Sequence, residues 1–236
     1  MIRLNLIHNS NNINKVDRIR QLKVHNKILG DLVTASKKQD YMTYETRLNN
    51  RFGKTLGYEI FSIDDCTSWA NGYSIHVEED YRNKGFNFGE ILRLSSIITM
   101  VENKIKTFYI YSVKTAPFFH AKYKFFPDIS SIENAENILN TIITKCKDKN
   151  ETLKNEAEEL LENIISINNT KSIDIFCKDT NNILNEYMQM VLNDKNKYKS
   201  HPFPCGFNMK LTLDEILKNK DYFNSLFAKH NINYKI

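Results

Sequence analysis

Glycine and proline are scarce in this chain of 236 residues, which has seven glycines and four prolines. Collagen-like, linker-rich and turn-rich all-β proteins use much more of both residues, so the composition argues against these classes. The longest uncharged, largely apolar run covers only residues 94–101, whereas a helix that crosses a bilayer needs about 20 apolar residues. The first nine residues lack the apolar core of a secretory signal. We therefore expect a cytoplasmic protein with no membrane partner.

Cysteine is equally sparse, and its positions do not suggest a metal site. The four cysteines stand far apart, with no CxxC pair and no cluster with histidine, at Cys66, Cys146, Cys177 and Cys205. Zinc sites and disulfide frameworks need closely spaced sets of such residues. The sequence therefore predicts neither a metal site nor a disulfide framework, as is usual in a reducing compartment.

Positive charge is concentrated in the first half of the chain. The net charge is +5; residues 1–128 have 19 Lys and Arg against 13 Asp and Glu, whereas residues 129–236 have 14 against 15. Such an excess fits a polyanionic ligand, either a nucleotide cofactor or a nucleic acid, although an ordinary solvated surface has the same composition. The lysines are scattered and do not alternate with aromatic residues, so nucleic acid is the less favoured partner.

Apolar residues recur with periods of two and of about 3.6, which are typical of strands and helices respectively. The predicted strands cover residues 2–7, 41–48, 55–63, 73–78, 107–113 and 206–213. The predicted helices cover residues 13–35 with a break at Gly30, 86–103, 115–123, 133–146, 151–166, 180–193 and 214–229. The alternation of Ile173, Ile175 and Cys177 also allows a short strand there.

One stretch, residues 75–92, combines the end of a strand, a basic turn with glycines and the start of an amphipathic helix. The first N–H groups of a helix have no partner within it, and the helix dipole favours negative charge there. Gly85 and Gly89 let the backbone approach a ligand closely, and Arg82 and Lys84 supply charged contacts for phosphate oxygens. Neither GxxxxGKS/T nor GxGxxG is present. The stretch favours an anion site, with an ordinary strand–loop–helix connection as the alternative.

This stretch resembles the acetyl-CoA signature of the GNAT N-acetyltransferase superfamily. In that signature, a strand leads into a turn V-x-x-x-x-R/Q-x-x-G-x-G/A, which opens a helix. Val77, Arg82 and Gly85 stand at the matching positions. Asn87 occupies the last position, which the family fills with glycine or alanine. Asparagine tolerates unusual backbone angles better than most residues do.

A second family element follows at the expected distance. After the next strand, GNAT chains have a pattern similar to A-x-x-F-Y-x-K-x-G-F, and the present chain matches it at Ala116, Phe119, Lys122 and Phe125. His120 replaces the family's tyrosine, and Lys124 replaces its glycine. Two motifs in the right order and spacing support the resemblance more strongly than either does alone.

The resemblance implies an α/β fold of the α+β type, with a mixed, mostly antiparallel sheet flanked by helices and a helical insertion before the C-terminal strand. It implies an acetyl-CoA-binding core over residues 1–128 and a helical insertion over residues 129–200. Residues 201–236 then supply a strand and a helix that complete the core. The insertion is open to three interpretations: a lid, a substrate-recognition element or the surface of a homodimer.

The resemblance also implies acetyl-CoA as the acyl donor and indicates its contacts. The exposed backbone at Ile75 and Val77 would bind the pantetheine arm as an added strand would. The pyrophosphate would lie against the turn, where the implied contacts are Arg82, Asn83, Lys84, Gly85, Phe86 and Asn87. Ala116 and Lys122 of the second motif complete the implied set.

An amine acceptor that attacks a thioester needs a base, because only the neutral amine has a free lone pair, and it benefits from an acid that protonates the departing thiolate. The family often uses its tyrosine as the acid, and His120 stands in that place. An ordinary histidine, with a pKa of about 6.5, can act as acid or base near neutral pH. The candidates for the base are His76 and Glu78, which lie two apart and hence on one face of their strand.

Two further interpretations remain open beside that of an N-acetyltransferase acting on an unidentified amine. The departures at Asn87, Val113, His120 and Lys124 suit a fold kept as a CoA-binding or protein-interaction module with little catalysis. A nucleic-acid-binding protein would use the basic first half and would show binding that depends steeply on salt.

Overall fold

The computed structural model describes residues 20–25, 32–40, 43–50, 52–64, 67–82, 84–146, 150–167, 169–194 and 200–236, the first two ranges by their backbone only. The chain forms two compact units. The first unit comprises residues 1–108 and 212–236, and the second comprises residues 109–211.

The first unit contains an antiparallel run of five strands, each paired with the next along the chain. The strands are β1 (Arg20–His25), β2 (Leu32–Asp40), β3 (Thr43–Asn49), β4 (Thr55–Asp64) and β5 (Trp69–Val77). A tight turn joins β3 to β4, in which Asn50 Oδ1 accepts hydrogen bonds from the N–H groups of Phe52 (2.9 Å) and Lys54 (3.0 Å). Gly53 has a φ of 78°, a left-handed value that favours glycine at this turn.

Helix α1 (Phe88–Glu102) packs on β3, β4 and β5 and is buried along most of its length. Gly57 of β4 makes this close packing feasible. A Cβ atom at Gly57 would lie 2.6 Å from the carbonyl oxygen of His76 and 3.3 Å from Leu92 Cδ1. The hydrophobic core beneath the helix includes Phe61 and Phe108, whose ring centroids are 5.7 Å apart.

Two helices from the C-terminal part of the chain complete the first unit, α6 (Leu213–Lys218) and α7 (Lys220–Lys229). The side chain of Thr212 caps α6 by accepting a hydrogen bond from the N–H of Glu215 at 3.1 Å. The helix predicted over residues 214–229 is therefore two helices with a break at Asn219, where the backbone leaves the helical region.

The second unit contains most of β6 (Thr107–Ser112) and β8 (Phe207–Thr212), with β8 between β6 and the short β7 (Phe126–Pro127), to which it is antiparallel. Its helices are α2 (Ala116–Ala121), α3 (Ile132–Cys146), α4 (Glu151–Glu162) and α5 (Thr170–Asn193).

The long helix α5 belongs to the core of the second unit, because it packs on α2 and β7 as well as on α3 and α4. Phe118 of α2 stacks on Phe203 at 5.4 Å, and Tyr187 of α5 lies 6.0 Å from the same ring. Burial raises the pKa of Tyr187, and its hydroxyl makes a 2.7 Å hydrogen bond with His201 Nδ1. Helix α2 is thus held by buried contacts with the helical segment.

The mixed α/β architecture predicted from the sequence, with a mostly antiparallel sheet, is confirmed. The predicted helix over residues 13–35 is wrong where the structure describes it, because β1 and β2 occupy much of that range. The possible strand at residues 173–177 is also wrong. Asn169 and Ser172 form a capping box that starts α5 at Thr170. The strand predicted over residues 2–7 lies outside the described residues.

Candidate active site

The edge of β5 that faces away from β4 carries the backbone groups of Ile75 and Val77. The N–H of Glu78 donates to the carbonyl of Leu56 at 3.0 Å. Backbone groups alternate between the two edges of a strand, so those of Val77 and Ile75 point to the opposite edge. The Val77 carbonyl accepts two hydrogen bonds there from the Arg82 guanidinium, at 3.2 Å from Nε and 3.0 Å from Nη2. Arg82 thus fastens the following loop to the end of β5.

The loop between β5 and α1 is short and largely exposed. A single turn of 3-10 helix covers Glu79–Tyr81, and Arg82, Lys84 and Gly85 follow at the surface. Asn83, predicted from the resemblance as a cofactor contact, lies outside the described residues. Gly85 has a φ of 80°, so the backbone turns at the position where the motif requires a glycine.

Asn87 ends this loop in a left-handed conformation, with φ 57° and ψ 26°, immediately before α1. Its carbonyl accepts the N–H of Ile91 at 3.1 Å. Among the described residues, the Asn87 side chain makes no capping hydrogen bond to the helix. Helix α1 thus begins without the side-chain cap that asparagine often provides, which favours an anion at its first N–H groups.

Aromatic side chains hold the loop against the start of α1. The ring of Tyr81 lies 5.5 Å from that of Phe86 and 5.6 Å from that of Phe88, and the two phenylalanine rings stack at 5.4 Å. Phe88 is buried and anchors the cluster in the core, whereas Phe86 is half-buried. Contacts of this kind fix the loop backbone before any ligand binds.

The carboxylate of Glu90, in the first turn of α1, binds the end of α7. It accepts hydrogen bonds from His230 Nε2 and from Lys229 Nζ, the latter at 2.6 Å. Burial raises the pKa of the Glu90 carboxyl, but the hydrogen bonds and charges of His230 and Lys229 outweigh burial and lower the pKa from 4.5 to about 2. A carboxylate in this position also interacts favourably with the helix dipole.

Replacing Glu90 with glutamine should destabilise the protein at neutral pH by about 2–3 kcal/mol. A carboxyl with a depressed folded-state pKa contributes stability that is complete above its ordinary pKa and is lost as the pH falls through its folded-state value. The difference in unfolding free energy between the wild type and Glu90→Gln should therefore shrink between pH 4.5 and about 2. Urea unfolding across this range measures it, with Glu158→Gln, in an exposed pair with Lys154, as the control. A constant difference would contradict the assignment.

The two candidate bases lie close together at the end of β5, where His76 is in the strand and Glu78 follows its last residue. The imidazole of His76 stacks on the ring of Tyr58 with centroids 5.2 Å apart. Its Nε2 atom is 3.8 Å from Glu78 Oε1, and both side chains are half-exposed. A half-exposed histidine beside a carboxylate is suited to accept a proton from an arriving amine.

The second motif lies in the second unit. Ala116 begins α2, and Lys122 is its C-terminal cap residue. His120 is 6% exposed, and its ring lies 5.2 Å from that of Phe119 and 5.7 Å from that of Phe125.

Lys124 has a φ of 65°, in the left-handed region, at the position where the family has its glycine. Asn87 likewise takes a left-handed conformation at a position of the motif that the family fills with glycine or alanine. Two of the departures from the family pattern therefore adopt a backbone conformation that glycine adopts most easily.

Within the first unit, the structure brings Arg82 to Val77 and His76 to Glu78, and Ile75 lies beside them on β5. Lys84 to Asn87 follow in the loop before α1. Ala116, His120 and Lys122 belong to the second unit. Sequence reasoning missed the contacts of Glu90 with Lys229 and His230. An acidic residue in a first helical turn was a local signal for Glu90, but no local pattern pointed to residues 139 and 140 positions away.

No helix among the described residues is both long and apolar enough to cross a membrane. The same residues contain no group of three or more His, Cys, Asp or Glu side chains arranged to hold a metal ion.

Comparison with known proteins gives matches only among solved structures. No family model and no curated protein matches the chain. The matching structures include acetyltransferases described as members of the GNAT family. One, from Staphylococcus aureus Mu50, is 19% identical over 37% of this chain and 55% of its own, with a TM-score of 0.33. The ribosomal-protein-S18-alanine N-acetyltransferase of Escherichia coli is 17% identical over 39% and 57%, with a TM-score of 0.35.

A third match is the PaiA N-acetyltransferase of Thermoplasma acidophilum, solved in complex with coenzyme A. It is 15% identical over 38% of this chain and 55% of its own, with a TM-score of 0.33. The chain thus spans little more than half the length of the structures that it matches. Because these TM-scores are low, a function for this chain has to be argued from its own residues.

Proposed function

We propose that the protein is an N-acetyltransferase that transfers the acetyl group of acetyl-CoA to an amine by direct attack in a ternary complex. The observation that carries the proposal is the backbone conformation of the two motifs. Asn87 and Lys124 adopt left-handed conformations where the family pattern has small residues or glycine. The motifs therefore follow the GNAT motifs in sequence order, and at both departures the backbone adopts a conformation that glycine adopts most easily.

In this proposal, the loop and the edge of β5 hold the cofactor. The backbone of Ile75 and Val77 binds the pantetheine arm. The carbonyl of Val77 also accepts hydrogen bonds from Arg82. The backbone N–H groups of the loop and of the first turn of α1 bind the pyrophosphate. Lys84, which is exposed beside them, adds a positive charge. Ala116 and Lys122 supply contacts from the second motif.

The two candidate bases at the end of β5 and His120 of the second motif carry out the proton transfers of the reaction. His76 or Glu78 takes a proton from the ammonium of the acceptor, and the amine nitrogen then attacks the thioester carbonyl. A C–N bond forms and the C–S bond breaks, the nitrogen releases its second proton to solvent, and His120 donates a proton to the departing thiolate. The amine acceptor and the cytoplasmic location expected from the sequence are part of this proposal.

A second candidate function has one observation in its favour. His120 is almost completely buried between two phenylalanine rings, which suits a packing role as well as a catalytic one. The protein would then be a CoA-binding or protein-interaction module with little catalysis.

Titration calorimetry with acetyl-CoA, and with CoA for comparison, tests the proposed function. We expect saturable binding by the wild type and loss of binding in the double variant Arg82→Ala/Gly85→Glu. This variant releases the loop from Val77 and adds a carboxylate and backbone strain where phosphate should bind. Arg47→Ala, at an exposed ion pair of the same unit, serves as the matched control.

The two candidate functions predict different results. Binding together with acetylation of an amine from a screen supports the enzyme, whereas binding without acetylation favours the module. A folded wild-type sample that does not bind acetyl-CoA at millimolar concentration would exclude the enzyme and a CoA-binding module, and would favour a protein-interaction module.

A further inference from the structure

A buried ion pair joins α1 to β4. Arg93 Nη1 lies 2.8 Å from Glu59 Oε1, and the two side chains are only 2% and 1% exposed. The guanidinium carbon of Arg93 also lies 5.3 Å from the centroid of the Phe108 ring, as in a cation–π contact. No other ion pair among the described residues is buried as deeply.

Stability alone does not account for this pair. Burial of two charges costs a large desolvation free energy, which their attraction roughly offsets, and apolar residues of similar volume often stabilise a protein as well or better. An ion pair differs from apolar packing because it is directional. In some proteins a buried polar or ionic group specifies the register of the elements that carry it.

One of the two joined elements, α1, follows the loop of the proposed cofactor site, and the other, β4, pairs with β5, which carries the edge proposed to bind pantetheine. On one side, Glu59 pairs in the sheet with Ile75 of β5, next to the edge proposed to bind the pantetheine arm. On the other side, Arg93 lies five residues after Phe88, the first residue of α1, which is about 7.5 Å along the helix axis. The pair therefore links the strand edge to the helix end that follows the loop.

We propose that Glu59 and Arg93 are positioning residues for acetyl-CoA: they set the distance between the strand that binds pantetheine and the helix start that binds pyrophosphate. The inference rests on the proposed function and extends it to two buried residues that the motifs do not include. A cofactor that bridges two subsites gains affinity only when the spacing of the subsites matches its own length. A small shift of α1 along the sheet would therefore weaken the binding of the whole cofactor more than the binding of either of its parts.

The double variant Glu59→Leu/Arg93→Met tests this role. It replaces the pair by apolar residues, so we expect stability in urea similar to that of the wild type. We expect acetyl-CoA to bind about tenfold more weakly or worse, whereas inorganic pyrophosphate and pantetheine, measured separately by NMR titration, should bind as to the wild type. Glu45→Leu/Arg47→Met, which replaces an exposed pair on β3, is the matched control and should leave all three affinities unchanged.

A second variant covers the case in which the double variant does not fold. Glu59→Asp keeps both charges but shortens one side chain by a methylene group. It should therefore weaken acetyl-CoA binding several-fold, while pyrophosphate and pantetheine bind as they do to the wild type. Unchanged acetyl-CoA affinity in the folded variants would overturn the positioning role and leave the proposed function intact. An equal loss of affinity for the fragments and for acetyl-CoA would also overturn the positioning role, because the subsites themselves would then be damaged. If the wild type does not bind acetyl-CoA at all, the proposed function fails first.

Discussion

Arg93→Met alone should lower the free energy of unfolding by about 3–5 kcal/mol, which makes it one of the most damaging single substitutions in the first unit. The variant removes one partner of a pair whose side chains are 1% and 2% exposed. The Glu59 carboxylate then loses the guanidinium that lies 2.8 Å from it in the core. It must either remain charged in a medium of low dielectric constant or take up a proton, and both alternatives cost free energy.

Urea or guanidinium unfolding at neutral pH measures this loss. Arg47→Met is the control, because Arg47 also pairs with a carboxylate but is 54% exposed, and surface substitutions of this kind usually change stability by less than about 0.5 kcal/mol. Adding Glu59→Leu to Arg93→Met should restore most of the lost stability, since no buried charge then remains. If the single variant is as stable as Arg47→Met, or the second substitution restores nothing, the pair does not have the energetic role described.

His120→Phe should lower the rate of acetyl transfer by about 10²–10⁴-fold, the range typical of a lost general acid or base, while acetyl-CoA binding stays unchanged. Phenylalanine has nearly the same shape as histidine, so the ring contacts with Phe119 and Phe125 are kept. The substitution removes the ring N–H that would deliver a proton to the thiolate. Without it, the thiolate must leave unprotonated or take a proton from water.

The measurement is the release of CoA thiol in the presence of an amine acceptor found by screening, together with titration of acetyl-CoA. Phe119→Leu is the control for packing, because Phe119 lies next to His120 on the same helix and has no titratable group. A His120→Phe variant that turns over as fast as the wild type would remove His120 from the mechanism and leave the base on β5 as the remaining catalytic candidate.

Much of the candidate site was predictable from the sequence because its causes are local. The strand, basic turn and helix between residues 73 and 103 appear in the structure as β5, a short loop and α1, with bounds that differ by a few residues. The prediction of an anion site at the turn rests on glycines, basic residues and a helix start, all within a few positions of one another. The motif resemblance rests on the same local information.

The segment before residue 40 shows where local information is ambiguous. Short apolar patterns fit a period of two and a period of 3.6 about equally well, and sequence reasoning chose the helix. In the structure, β1 pairs with β2, and β2 with β3. Such pairing is a property of neighbouring strands and not of the segment itself.

The sequence by itself determined the class of the fold and the places of most helices and strands, and it carries the glycines and basic residues of the loop after β5, because each of these depends on residues close together in the chain. Only the tertiary structure decided that Glu59 meets Arg93, that Glu90 meets His230 and Lys229, and that His120 is buried between aromatic rings. It also decided that Asn87 and Lys124 take left-handed conformations. The reason is physical: the free energies of ion pairing, burial and backbone strain are set by neighbours in space, which a one-dimensional pattern does not specify.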